Sequence, residues 1–469
     1  MSDAIQELFE IQKARSFELR TEPLKYRKAR LKKLRKWILN NKPRIREALF
    51  KDFKKPETEV DISEIYPVAS ELNKALRNLS EWSRPKKVSS GLTFFGTMAA
   101  VVNEPKGTTL IIAPWNFPFQ LLFVPLVSSL AAGNTAILKP SENTPATSKL
   151  AKEMIAELFD PSEVSVVQGS VNETTELLKL SFDHIFFTGS TAVGKIIMEA
   201  AAKNLTTVTL ELGGKSPTII DETANIKDAA KKIAWGKFFN NGQTCIAPDY
   251  LLIHESKYSK FIEELSKAIN STFDSDNLGI KDSKDYAIIV NERHASRLIN
   301  LLDEAKQNGA QVIHGGENNK EERFIEPTVI TSVDESCKIS KEEIFGPIFP
   351  IYTYTNLDLE IQKINNGPKP LALYLFSNKK SVQQKVLKQT SSGSMAINDV
   401  VIQFSHPNMS FGGVNHSGMG KSHGYPGFLA FSNEKSVLKQ RTGLTTAMLF
   451  YPPYNVFKKR IVDFVIKWF

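Results

Sequence analysis

The chain has 469 residues, 41% hydrophobic and 24% charged, which is the composition of an ordinary globular protein and excludes a disordered or fibrous one. That length exceeds a single ordinary core and fits two or three domains with room for a sizeable active site. Sixty lysines and arginines against 51 acids leave +9, too small an excess to select nucleic acid or a membrane by itself, and the two cysteines exclude a disulfide framework.

The N-terminus, MSDAIQELFEIQKAR, carries acids where a signal peptide needs a basic start and an apolar run, so the cytosol or the cytosolic face of a membrane is expected. In KYRKARLKKLRKWILNNKPRIR, Leu31, Leu34 and Ile38 keep helical spacing with basic residues between them, which predicts a solvated helix face. No RNP, KH or zinc-finger signature accompanies the charge, so no nucleic-acid partner is expected. Residues 1–82 read as helical, with a proline break near Lys42-Pro43.

From residue 100 the pattern changes to short apolar runs separated by helical stretches: AAVVNEP, TTLIIAP, TAILKP, VSVVQGS, DHIFFTGS and TVTLELGG. Such alternation predicts a parallel sheet covered by helices on both faces. A second series follows, YLLIHES, AQVIHGG, PTVITSV, IFPIYTY, LALYLFS and SMAIND, and two α/β domains in succession are the economical reading, with an edge at the turn near Leu210 to Gly214. No run reaches the roughly 20 apolar residues that span a bilayer. At the C-terminus Phe457, Ile461, Phe464, Val465 and Trp468 recur at helical spacing opposite Lys459, Asp463 and Lys467. This stripe is expected to pack on the protein, with a membrane surface as the alternative.

HIFFTGSTAVGK reads as a strand, a turn at Gly189 and a helix start, a geometry that offers free N–H groups to a pyrophosphate. Gly189 to Lys195 nearly spells a Walker loop, but Ile196 stands where a magnesium-binding hydroxyl is needed, so a dinucleotide is favoured over ATP. The alternative for Gly189 and Gly194 is close strand-to-helix packing. TAILKPSEN ends in Lys139 and Glu142, at the strand end where a ribose can be held; the glutamate favours NAD over NADP, and plain surface charge is the alternative for either. NNGQTCIAPDY sets Cys245 between a Gly-Gln-Thr turn and a proline, a position that suits either a small core hydrophobe or a nucleophile.

Taken together with APWNFPFQ, LELGGKSP and EEIFGP, these motifs resemble the aldehyde dehydrogenase superfamily over about residues 10–440. Within it, KPSEN, GSTAVGK, AWGKF, GQTCIAPDY and YPPY are similar to the class 3 branch, which includes fatty aldehyde dehydrogenases. The resemblance implies Cys245 as nucleophile, Glu211 as general base and Asn116 as oxyanion donor. It implies that Lys139 and Glu142 hold the adenosine ribose, that Gly189, Ser190 and Gly194 lie by the pyrophosphate, and that Glu343 and Phe345 position the nicotinamide end. The cofactor is expected to be NAD, with NADP as the alternative, and no metal is expected.

The implied fold has two Rossmann-like open parallel-sheet domains with a small β bridge. Residues 1–82 and 104–210 bind the cofactor, 211–420 form the catalytic domain, 83–103 and 421–445 bridge a homodimer, and 446–469 form an amphipathic tail. Relatives of this class carry a C-terminal helix over the substrate funnel and a membrane-spanning extension; residues 455–469 are expected to line the entrance here, without the extension. Asn415 stands where relatives have glycine, and the preceding IQFSHPNMSFGG looks shortened, which bears on the entrance.

The chemistry asks for these residue types. A thiolate adds to an aldehyde to give a thiohemiacetal whose hydride can pass to NAD, and the resulting thioester is cleaved by water activated by a carboxylate. The expected substrate is a medium- or long-chain aliphatic or an aromatic aldehyde. A CoA-acylating dehydrogenase is the alternative that needs no base, and a non-catalytic peripheral membrane scaffold is the alternative that needs no cysteine. Cys337 matches no motif and reads as an ordinary free thiol.

Overall fold

The computed structural model describes residues 2–468. The chain up to Trp82 is helical, in Ser2–Thr21, Leu24–Asn40, Lys42–Phe53 and Tyr66–Trp82, and the predicted break falls at Asn41, with Pro43 in the first turn of the next helix. Leu31, Leu34 and Ile38 are fully buried, while the basic residues between them lie mostly on the outside or in ion pairs such as Arg30 with Glu22 at 2.8 Å and Glu163 at 2.6 Å.

A six-stranded sheet runs in the order Gly418–Met419, Thr207–Glu211, His184–Thr188, Thr108–Ile112, Thr135–Lys139, Val164–Val166. Its five longer-range partners are parallel and in the 3-2-1-4-5 order of a dinucleotide-binding fold. Ligands bind in such sheets beyond the carboxyl ends of strands, where the order reverses. Here that point lies between Thr108–Ile112, which leads into Trp115 and Asn116, and His184–Thr188, which leads into Gly189.

The second sheet has seven strands, in the order Gln311–His314, Thr328–Thr331, Ile348–Tyr354, Tyr250–His254, Pro217–Ile220, Ala372–Phe376, Ser394–Ile397. Two edge strands depart from the all-parallel expectation: Gln311–His314 and Gly418–Met419 pair antiparallel. Both stand at the outer edge of their sheet, with a neighbour on one side only. Pro217–Ile220 forms a central strand of the second sheet that the apolar-run reading passed over, because it directly follows the Gly213-Gly214 turn.

A separate antiparallel sheet joins Lys86–Val88, Met98–Pro105 and Ser432–Lys439, bringing together segments more than 300 residues apart in sequence. The final helix, Val456–Trp468, buries none of its described residues. The expectation that the tail packs into its own chain is therefore corrected: its apolar stripe, including Phe457, Phe464 and Trp468, stays exposed. No helix among the described residues is long and apolar enough to cross a membrane.

Candidate active site

A cavity of about 590 Å³ opens between the two large sheets. Its wall includes Asn116, Gly189, Ser190, Glu211, Cys245, Glu343 and Phe345, residues from separate parts of the chain. Among the described residues none beyond His423 lines it, so within one chain residues 455–468 do not form the entrance expected of them.

The loop that carries the cysteine explains its own sequence. After the helix Ile226–Phe238 the chain makes three successive left-handed residues, Asn240 (φ 53°), Asn241 (φ 56°) and Gly242 (φ 69°). Asparagine is among the few side chains that tolerate this region. At Gly242 even that is impossible, since a Cβ would stand 2.4 Å from the Gly346 carbonyl oxygen. Gln243 is fully buried and ties the turn down, its Nε2 donating to Asn240 O at 3.0 Å and Ile288 O at 3.2 Å while its Oε1 accepts from Val290 N at 2.9 Å. Tyr374 Oη donates to Ile246 O at 2.6 Å. Cys245 is left half-buried on the cavity wall, whereas Cys337 sits in an apolar cluster elsewhere.

Burial pushes the Cys245 thiol up to about 12, reinforced by the charges of Glu343 and Glu211 and opposed by the N–H groups of Cys245 and Ile246. The sulfur is thus held as a thiol until a proton acceptor takes its hydrogen. Glu211 ends its strand fully enclosed, and burial raises its carboxyl to about 7 against the pull of the Ser422 hydroxyl and Lys421. Its Oε1 accepts from Ser422 Oγ at 2.8 Å, and its Oε2 is buried without a protein partner. Such a carboxyl is poised to exchange a proton near neutrality.

Asn116 is buried, with Nδ2 donating to Gln243 O at 3.0 Å, so its amide is pinned to the cysteine loop. Its own carbonyl accepts from Asn240 Nδ2 at 2.9 Å and from Lys55 Nζ at 3.4 Å. Lys55 is completely enclosed, 2.8 Å from Glu64 Oε1 and 4.1 Å from the Phe117 ring centre, and Glu64 Oε2 accepts from Gln120 N at 2.8 Å. This buried pair braces the Asn116 loop from below. In sequence Lys55 is one more lysine of a basic N-terminal third, and no local pattern distinguishes it.

Glu343 is raised to about 8 by burial and by Asp249, with the Gly214 N–H, Lys215 and Arg297 opposing. A side chain at Gly213 would meet its carboxylate at 2.3 Å, which accounts for the glycine next to Leu212. Phe345 is left-handed (φ 51°) and its ring meets Trp115 edge-on at 5.3 Å. His294 and Arg297 line the same end, and sequence reasoning named neither for the site, because a helix far along the chain delivers them.

Lys139 and Glu142 stand apart from this wall. The Lys139 ammonium is buried, donating to Pro140 O at 2.9 Å and Gly169 O at 2.7 Å, with Glu142 Oε2 4.0 Å away. Both lie at the carboxyl end of a strand of the first sheet, the end that also carries Gly189. Gly194 does not reach the cavity: a Cβ there would come within 2.7 Å of Leu212 Cδ2, so this glycine serves helix-to-strand packing. Ser190 caps the helix Thr191–Ala202 by accepting from Val193 N.

Among the described residues, five wall residues carry a buried polar atom with no protein partner: Gln120 Nε2, Thr188 Oγ1, Thr244 Oγ1, Glu211 Oε2 and His294 Nε2. Each such atom costs about 1–3 kcal/mol unless something satisfies it. A wall that carries several of them beside a helix N-terminus fits a polar, phosphate-bearing ligand such as a dinucleotide.

Comparison with known proteins agrees with this geometry. The model of the aldehyde dehydrogenase family matches residues 2–437. The chain belongs to the aldehyde dehydrogenase family. It is 46% identical over 435 residues to 4,4'-diaponeurosporen-aldehyde dehydrogenase of Staphylococcus aureus, covering 93% of each chain. It is 42% identical over 419 residues to the dimeric, NADP-preferring aldehyde dehydrogenase of Mus musculus, covering 89% of this chain and 91% of that one. A solved structure described as the substrate-bound state of Staphylococcus aureus AldH superposes with a TM-score of 0.94 at 44% identity, covering 98% of this chain and 99% of that one. The protein is accordingly an NAD(P)-dependent aldehyde dehydrogenase with relatives in family 3, an oxidoreductase acting on the aldehyde group.

Proposed function

We propose that this aldehyde dehydrogenase converts medium- or long-chain aliphatic or aromatic aldehydes to carboxylic acids through a thiohemiacetal and then a thioester on Cys245. The observation that carries this reading is that a half-buried thiol and a buried carboxyl with one unpartnered oxygen share one cavity. NAD(P), when bound, accepts the hydride. The chain's own residues do the rest.

Cys245 Sγ bonds to the aldehyde carbon, and its proton leaves toward the carboxylates whose charges face it, Glu211 and Glu343. The oxygen that becomes negative is met by the Asn116 amide and the Cys245 N–H; one such donor is typically worth about 3 kcal/mol. Glu211, near neutrality, takes a proton from the water that cleaves the thioester. Gly189 and Ser190 receive the pyrophosphate, Glu343 and Phe345 the nicotinamide end, and Lys139 with Glu142 the adenosine ribose. The negative charge of Glu142 disfavours a 2′-phosphate, so NAD is the favoured cofactor, with Lys139 beside it leaving NADP as a second substrate.

In this reading residues 1–82 and 104–210 serve the cofactor and 211–420 the chemistry. Residues 83–103 and 421–445 join two chains. Met98, Val437 and Leu438 are exposed on the antiparallel sheet, whose Ser432–Lys439 edge strand has unpaired backbone groups. Sedimentation should give the mass of two chains, and the mass of one would contradict the pairing.

The substrate wall is apolar, with Ile62, Tyr66, Leu121, Trp235, Phe239 and Phe404. A panel of aldehydes of increasing length, assayed with each cofactor, tests both assignments. On transfer energetics kcat/KM should rise about fourfold per methylene until the cavity is filled. A flat profile, or turnover only when CoA is supplied with acyl-CoA as the product, would count against the reading.

A further inference from the structure

The two oxygens of Glu211 have different surroundings. Oε1 accepts from Ser422 Oγ at 2.8 Å, while Oε2 is buried with no protein partner. Ser422 is itself buried, and its backbone is clamped to Phe411, with Ser422 N donating to Phe411 O at 2.7 Å and Phe411 N donating to Ser422 O at 3.2 Å. The hydroxyl hydrogen has two poorer acceptors, Phe411 O and His423 Nδ1, each at 3.4 Å. His423 follows in a left-handed conformation (φ 66°) on the cavity wall, held edge-on by Phe404 at 4.9 Å and Phe411 at 5.6 Å. Lys421, on the other side, donates to Gly412 O at 2.6 Å. Residues 421–423 therefore form a fixed platform against the end of the strand that carries the base, and only one atom of that platform touches the carboxyl.

We propose that Ser422 is a positioning residue for thioester hydrolysis, its hydroxyl holding Glu211 Oε1 so that Oε2 faces the attacking water. This rests on the assignment of Glu211 as base. In the step it serves, a carbon–oxygen bond forms between water and the thioester carbon, one water proton passes to Glu211 Oε2, and the carbon–sulfur bond breaks with its electron pair left on Cys245 Sγ. A carboxyl free to rotate about its last bond would present Oε2 to the water only part of the time. A donor fixed by backbone hydrogen bonds removes that freedom.

The same hydroxyl biases the protonation of the base. Burial raises the carboxyl, and Ser422 and Lys421 oppose it. Of the other titratable groups nearby, the Cys245 thiol is neutral, and His423 is held neutral, at about 4, by burial and the Lys74 charge. Removing the hydroxyl leaves burial less opposed, so the carboxyl holds its proton to higher pH.

The test is stopped-flow NADH formation with Ser422→Ala, Ser422→Thr and Glu211→Gln across pH 5.5–9.5. Ser422→Ala should keep the wild-type burst amplitude, turn over about tenfold more slowly at pH 7, and show its acidic limb moved up by about one pH unit. Ser422→Thr, which keeps the hydroxyl, should keep the wild-type limb. An unmoved limb in Ser422→Ala, or burst and turnover lost together, overturns the proposal. Should Ser422→Ala fail to fold, the threonine variant decides alone, and a shifted limb there overturns it. Glu211→Gln separates the two readings: full turnover in that variant removes the base assignment and Ser422's role with it. An inactive Glu211→Gln beside an unshifted Ser422→Ala removes only the latter.

Discussion

Cys245→Ala is expected to abolish aldehyde-dependent NAD(P)H formation, a loss on the order of 10⁴-fold or more, while binding of the dinucleotide stays measurable. The asymmetry follows from where the sulfur stands. The partnerless atoms that suit a dinucleotide, Thr188 Oγ1 and His294 Nε2, belong to other segments of the wall and do not depend on the cysteine. Alanine also fits the loop, whose left-handed turn is made by Asn240, Asn241 and Gly242 and tied down by Gln243. Fluorescence titration with NADH measures the retained binding, and turnover measures the loss. Residual turnover near that of the wild type would exclude the sulfur as nucleophile.

Glu211→Gln should separate the two halves of the reaction. The amide is the same size and can still meet the Ser422 hydroxyl through its carbonyl, but it cannot take a proton from water. The acyl-enzyme should therefore form and accumulate, giving a burst of about one NAD(P)H per site followed by turnover slowed by about 10²–10⁴-fold. Mass spectrometry of the stalled protein should find the acyl group on Cys245. In the unmodified enzyme the carboxyl value near 7 predicts that turnover rises as pH climbs through neutrality, because only the ionised form accepts the proton. A variant that releases acid at the full rate would show that another group activates the water.

Much of this was legible along the chain. The alternation of apolar runs and helical stretches foretold two covered parallel sheets, because a strand buried on both faces must be apolar throughout. Twelve named runs described nearly all of the central strands; the exception, Pro217–Ile220, is four residues long and begins at a proline. Local motifs also carry most of the cavity wall, since Gly189, Cys245 and Glu343 sit in loops and Glu211 at the end of its strand, where the backbone shape demands particular neighbours. Gly213 and Gly242 are such neighbours, each excluded from carrying a side chain by an atom within 2.4 Å.

What could not be read was any contact between segments that share no pattern. Lys55 and Glu64 brace the Asn116 loop from 61 and 56 residues earlier than the groups they bond, and nothing in their local sequence marks them for it. His294, Arg297 and Ser422 reach the cavity from a distant helix and from the segment after the second sheet. Gly194 reads as half of a phosphate loop and is a packing glycine, a distinction that depends on where Leu212, just past the end of a neighbouring strand, falls. The exposed terminal helix has the apolar spacing of a packed one, and periodicity reports an apolar face without reporting what covers it. By itself, then, the order of residues determined the local backbone shapes around Gly189, Glu211, Cys245 and Glu343, because those depend on neighbours in the chain. Only the folded structure decided which oxygen of Glu211 is free, which cations are buried and which glycines line the cavity, because those depend on distances between residues that the chain holds far apart.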